Sequence, residues 1–343
     1  MKIRSVLIVI IMIGMLSSCS KGSTTGSGSG TITPTNLSVL AVVNPDNSGN
    51  VAFTATATNA ISYDYDFGNG VYQTVASGVV NYRYYATGTY TVNVIAKSSS
   101  GQTISKSIQV TVTVIQTLVW SDDFSVNGAP DPTKWGYDIG AGGWGNGELQ
   151  YYTNRIDNAI VSGGTLKIIA KAESFSGSAY TSARLITKNK FSFKYGKIEV
   201  SAKLPAGIGT WPAIWMLGDN FSTAGWPACG EIDIMEHRGS ELNKIFGTLH
   251  HPGHSGGNGD GSTTIISNAS TAFHKYTLDW SPSIIKFSVD DVPFYTFANT
   301  ASLPFNQNFF IILNVAMGGS FGGSVDPAFS NAALEIDYVK VYN

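Results

Sequence analysis

From about residue 115 to its end, this chain offers strand after strand and no helix of ordinary length. The segments Thr165 to Ala170, Lys197 to Lys203, Glu231 to Met235, Ile245 to Leu249, Lys275 to Trp280, Ile285 to Val289, Phe309 to Val315 and Leu334 to Tyr342 are short and rich in β-favouring residues. Gly-bearing connections separate them, and no window repeats its apolar residues with helical spacing. Such a chain buries its apolar faces by stacking sheet on sheet. The expected fold class is therefore all-β, with a two-sheet jelly-roll sandwich over residues 116–343.

A second, smaller unit precedes it. Between residues 37 and 115, Val51, Phe53 and Ala55, then Val80, Tyr82 and Tyr84, then Tyr90, Val92 and Val94 alternate with their neighbours in character. Ser48-Gly49, Asn69-Gly70 and Gly88-Thr89 mark turns between them. This pattern predicts an immunoglobulin-like β-sandwich. The run Tyr65-Asp66-Phe67-Gly68-Asn69-Gly70, with Tyr82-Arg83-Tyr84 and Gly88 to Val92, resembles the PKD-type domain, with Asn69 where a second Asp is usual. The resemblance implies a spacer in preference to a glycan binder.

The N-terminus reads as an export signal. Lys2 and Arg4 precede an apolar run from Val6 to Met15, which falls short of the ~20 residues needed to span a bilayer. Leu16-Ser17-Ser18-Cys19 resembles a lipobox, which implies cleavage after residue 18 and lipid on Cys19. Residues 19–36, mostly Ser, Gly and Thr, read as a flexible tether. The expectation is an exported protein held at the cell envelope by that lipid, the alternative being a plain secretory signal. Cys229 is the one other cysteine and reads as buried filler. A net charge of −2 with no basic run excludes nucleic acid as a natural partner and suits a neutral polymer.

The most informative segment is Gly230-Glu231-Ile232-Asp233-Ile234-Met235-Glu236. Glu231 and Asp233 alternate with apolar residues, so they share one strand face. Strict alternation would send Glu236 to the other side, and a β-bulge, expected at Met235, returns it. Three carboxylates in a row raise one another's pKa values. Chemistry that needs one ionised and one protonated carboxyl, glycoside hydrolysis above all, wants that arrangement. The alternative is a solvated acidic strand face. Trp211 and Trp215 lie four apart on a predicted strand and therefore on one face, and Trp226 precedes the acids. Flat indoles suit the C–H faces of sugar rings.

The heptapeptide resembles the active-site signature of glycoside hydrolase family 16, in its laminarinase-like branch. Thr210 to Leu217, Gly225 to Cys229, Gly143 to Thr153 and Ile336 to Tyr342 are similar to further family segments in the same order, so the resemblance runs from about residue 117 to the end. It implies an endo-acting, retaining hydrolase of β-1,3-glucan, with mixed-linkage β-1,3-1,4-glucan as a further substrate. Glu231 would be the nucleophile, Glu236 the general acid/base, and Asp233 would hold or tune the nucleophile. Asn146, Arg184 and His250, with the three tryptophans, would contact sugar, and Glu148 is a weaker candidate. Catalysis would need no cofactor. A structural calcium would sit on Asp337 and main-chain carbonyls, with Asp123 or Gly164 contributing. A monomer is expected. Many relatives carry Asn-Trp where this chain has Ser320-Phe321, a change that would shift one sugar subsite without touching the acids. A non-catalytic glucan-binding protein and a transglycosylase are the alternatives on the same scaffold. His250, His251 and His254 raise a zinc reading, which the Gly-rich loop around them disfavours.

Overall fold

The computed structural model describes residues 31–343. The expected signal peptide (1–18), Cys19 and most of the 19–36 tether lie outside the described residues. From Thr35 to Val112 two sheets face each other. Thr35–Val43, Asn50–Thr58 and Val79–Arg83 form one; Tyr72–Val75, Ser62–Asp66, Gly88–Lys97 and Thr103–Val112 form the other. The alternating residues meet between them, and Phe53, Tyr65, Phe67, Tyr84, Val92 and Val94 are fully buried.

The remaining chain folds into a larger all-β sandwich of the jelly-roll kind. One sheet has ten strands, including Thr165–Phe175, Asn331–Tyr342, Gly196–Lys203 and His274–Trp280. The other has seven, in the spatial order Asp260–Ile265, Lys244–His250, Glu231–His237, Thr210–Gly218, Phe309–Met317, Arg184–Ile186, Gly136–Asp138. Phe309–Met317 is buried at every position, as a strand inside a sheet must be when both faces are covered. One apolar core lies between the sheets and includes Ile198, Ile232, Leu278, Trp280, Ile311 and Ile336. Among the described residues the only α-helical elements are the short turns Phe221–Ala224 and Gly319–Gly322. The other face of the seven-stranded sheet carries the candidate catalytic residues, and a smaller cluster of Leu217, Phe310 and Ile312 with Trp215 covers part of it.

Candidate active site

The acidic strand Glu231–His237 pairs with the tryptophan strand Thr210–Gly218 on one side and the histidine strand Lys244–His250 on the other. The register slips between Asp233 and Glu236 on both sides. Against the histidine strand, Ile234 and Met235 together oppose the single residue Gly247. Against the tryptophan strand, Met235 keeps a partner in Ile214 and Ile234 has none. The expected bulge is present, but on that side the extra residue is Ile234, one position before Met235. The reason is packing. Ile232, Ile234 and Met235 are all buried in the inter-sheet core, so two consecutive apolar side chains turn inward and Glu236 turns out beside Asp233.

Strand pairing then places the neighbours. His250 stands opposite Glu231, Thr248 opposite Asp233, Ala213 opposite Glu236 and Trp215 opposite Asp233. Residues directly opposite share a face. His250 Nε2 lies 3.2 Å from Asp233 Oδ2 and 3.7 Å from Glu231 Oε1. Trp226 Nε1 donates to Glu231 Oε2 at 3.0 Å, and Trp211 Nε1 donates to Glu236 Oε1 at 2.9 Å. Thr248 Oγ1 donates to Glu236 Oε2 at 3.4 Å. Trp226 is 46% exposed and stands open to a ligand beside Glu231.

The electrostatics follow from three acids in one confined row. Burial, then the Asp233 charge, push Glu231 well above the ordinary carboxylate range, with His250 and Arg184 opposing. Burial and then Glu236 push Asp233 well up, and a hydrogen bond from Glu231 opposes this. Burial raises Glu236 too, resisted first by the Trp211 indole. A row that resists full ionisation keeps a proton available for an acid-catalysed step.

A second polar group extends from the row. Trp215 Nε1 donates to Asn314 Oδ1 at 2.7 Å, and Asn314 Nδ2 donates to Tyr152 Oη at 3.0 Å. Tyr152 in turn donates to Glu148 Oε2 at 3.2 Å, and Asn146 Nδ2 donates to Glu148 Oε1 at 3.1 Å. Arg184 lies between the faces of Trp215 and Trp144, 4.6 and 4.9 Å from their ring centres, and its Nε is 3.0 Å from Asp138 Oδ2. The structure thus gathers Glu231, Asp233, Glu236, Trp211, Trp215, Trp226 and His250 around one row, with Arg184 and Asn146 bound into the flanking network. Asn314, Tyr152, Trp144, Asp138 and Thr248 belong to these contacts and were not singled out in the sequence. Phe321 packs against Trp211, with ring centres 5.1 Å apart, where the relatives' indole was expected. Asp337 is far along the chain in another sheet and is exposed. The zinc triple that the sequence disfavoured does not assemble: His250 groups with Glu231 and Asp233, and His251 and His254 group with Asp260.

The sequence profile described as "Glycosyl hydrolases family 16" matches residues 147–340. The chain belongs to that family. It is 48% identical over 241 residues to the "Beta-glucanase" of Rhodothermus marinus, covering 66% of this chain and 84% of that protein. It is 40% identical over 248 residues to the "Glucan endo-1,3-beta-glucosidase" of Cryptopygus antarcticus, covering 65% of this chain and 90% of that one. The crystal structure of the laminarinase from Rhodothermus marinus superimposes with a TM-score of 0.65 at 48% identity, covering 67% of this chain and 98% of its own. The family match lies within the larger sandwich and includes the whole acidic strand.

Proposed function

We propose that the protein is a retaining, endo-acting hydrolase of β-1,3-glucan of the laminarin type, with mixed-linkage β-1,3-1,4-glucan as a second substrate. The observation that carries this reading is the register slip at Ile234–Met235, which puts Glu231, Asp233 and Glu236 on one indole-lined face. The relatives named as β-glucanase, endo-1,3-β-glucosidase and laminarinase support the substrate class. Glu236 protonates the glycosidic oxygen as a Glu231 oxygen attacks the anomeric carbon, and the bond to the leaving sugar breaks. A glycosyl ester on Glu231 results. Glu236, now a carboxylate, takes a proton from water, which attacks the same carbon and releases Glu231. His250 reaches both Asp233 and Glu231 and orients the nucleophile, and Trp226 offers an open face to a sugar ring.

Reducing-sugar release from laminarin tests the reading. Wild type is expected to be active, with Glu231→Gln and Glu236→Gln inactive. With an aryl laminaribioside and azide, Glu231→Ala should yield the α-glycosyl azide and Glu236→Ala the β-anomer. The opposite pairing would exchange the two roles. Wild type without turnover would leave a glucan-binding protein, and longer products accumulating early would indicate transglycosylation.

The leader and Cys19 support export and lipid anchorage at the cell envelope; Cys19→Ala should release the protein from the membrane fraction. The N-terminal sandwich serves as a spacer, and the protein is a monomer. Asp337 stands where the register slips between Ser201 and Ala202. Its carboxylate, with main-chain carbonyls freed from the ladder there, is the hard-oxygen set that would hold a structural calcium. That ion would stabilise the fold and take no part in the reaction. Calcium should raise the Tm of wild type and leave Asp337→Ala unmoved.

A further inference from the structure

The loop after the histidine strand folds back on itself. His251 N donates to His254 O at 2.8 Å, and His254 N donates to His251 O at 2.9 Å. Their rings stack with centres 4.7 Å apart and planes 19° from parallel. Both rings then aim at one carboxylate. His251 Nε2 is 2.9 Å from Asp260 Oδ2, and His254 Nδ1 is 3.0 Å from Asp260 Oδ1. One ligand atom from each of the three residues lies within 4.8 Å of the others. Phe305 and Phe297, with ring centres 5.7 and 6.0 Å from that of His251, wall this buried ring in place. The His254 side chain is 52% exposed, so the gathered atoms can be reached from solvent.

We propose that His251, His254 and Asp260 form a binding site for a divalent transition metal, zinc being the best match, that clamps the 251–260 loop beside the candidate active site. Two imidazole nitrogens and one carboxylate oxygen are the ligand types zinc prefers, and three protein ligands leave a fourth position for water. An all-oxygen ion such as magnesium or calcium is poorly served by the same set. The stacked rings and the reciprocal backbone bonds fix both imidazoles before the ion arrives. Metal binding uses the lone pairs of the two nitrogens now turned to Asp260, so both rings must carry their protons on the other nitrogen, and acid competes with the ion. The clamp reaches the acidic row through Gly259. A Cβ at that position would stand 2.6 Å from His250 Cε1, so the loop backbone rests on the ring that meets Asp233 and Glu231. The set differs from the triple of His250, His251 and His254 that the sequence disfavoured, because Asp260 and not His250 completes it.

The test uses untagged, metal-stripped protein titrated with zinc chloride by calorimetry, with cobalt(II) absorption as a second readout. One saturable site per chain and a rise in Tm are expected. His254→Ala and Asp260→Asn should each weaken zinc by at least about tenfold, the low end even for groups that merely support a metal ligand. His254→Ala should keep its activity on laminarin, which shows that it folds. His274→Ala, at the remote His274–Asp290 pair, should bind as wild type does. Equal zinc affinity in wild type and His254→Ala would overturn the proposal, as would the lack of any saturable binding. Binding that survives His254→Ala and is lost in Glu231→Gln would assign the ion to the Glu231–Asp233–His250 cluster instead.

Discussion

Trp211 donates its indole N–H to Glu236 Oε1 across 2.9 Å. Trp226 makes the matching bond to Glu231. Each outer carboxylate of the acidic row is thereby held by one tryptophan, and neither indole reaches Asp233. The indoles do two jobs in the proposed enzyme. In that proposal their faces meet sugar, while their edges bond the two acids.

The Trp211 bond stabilises the charged form of Glu236 and resists the rise that burial imposes. Trp211→Phe removes the donor and keeps much of the ring. Glu236 must be protonated when the glycosidic bond breaks, so a further rise in its pKa extends activity toward alkaline pH. The alkaline limb of the kcat/KM profile on laminarin should therefore move to higher pH. An unmoved limb would show that this bond does not tune the acid.

Glu231 is held above its ordinary pKa by burial and by Asp233. A carboxyl whose folded pKa is raised favours the folded state at low pH, and that contribution is lost as pH rises through the folded pKa. Glu231→Gln carries no such charge. It should abolish hydrolysis and raise Tm at mildly alkaline pH. The gain should shrink as pH falls toward the ordinary glutamate range. Thermal unfolding of both proteins across that range checks this, and a variant less stable than wild type at alkaline pH would contradict it.

His237 ends the same strand but faces the core. It is fully buried, neither ring nitrogen has a partner among the described residues, and burial lowers its pKa from 6.5 to about 4. The unfolded chain therefore takes up this proton first as pH falls, and stability drops between about pH 6.5 and pH 4. At about 1.4 kcal/mol per pH unit the loss approaches about 3 kcal/mol. His237→Leu cannot titrate. Denaturant unfolding at pH 7 and pH 4 should show wild type losing more stability than the variant by roughly that amount. Equal losses would mean that the ring is solvated in the folded state.

The acidic row was legible because its signal is local. Alternation from Glu231 to Ile234 fixes a face, and Met235 interrupts it before Glu236. The residue that would lack a partner was not legible, because Ile234 and Met235 are both apolar and both buried. The flanking network was hidden for another reason. Trp215 meets Asn314 across 99 residues, Arg184 meets Asp138 from another strand, and Asp260 joins His251 only once the hairpin has closed. Pairings of that kind are set by sheet order, which no short pattern encodes. Asn314 did leave a trace, as the one side chain able to accept a strong hydrogen bond within Phe309–Met317.

Asn314 accepts the Trp215 N–H and donates to Tyr152 inside the sheet. Asn314→Leu strands the indole N–H in a poorly hydrated place, at a cost of about 1–3 kcal/mol. Adding Trp215→Phe removes the stranded donor. The double variant should thus lose less stability than the sum of the two single variants, measured by denaturant unfolding as a double-mutant cycle. Strict additivity would deny the bond any energetic role.

The bulge itself can be separated from the side chain that fills it. Met235→Ala keeps the extra residue and opens a cavity, at about 2–5 kcal/mol of stability. Deleting Met235 restores strict alternation. Glu231, Asp233 and Glu236 then still share a face, but Glu236 draws closer to Glu231 by about one residue rise, ~3.3 Å. A misplacement of even about 1 Å can cost about a hundredfold in rate. Met235→Ala should therefore retain laminarin hydrolysis at a temperature where it stays folded, and the deletion should lose at least about a hundredfold. Equal laminarin rates in the two variants, both confirmed folded by circular dichroism, would show that the spacing set by the bulge does not limit the reaction.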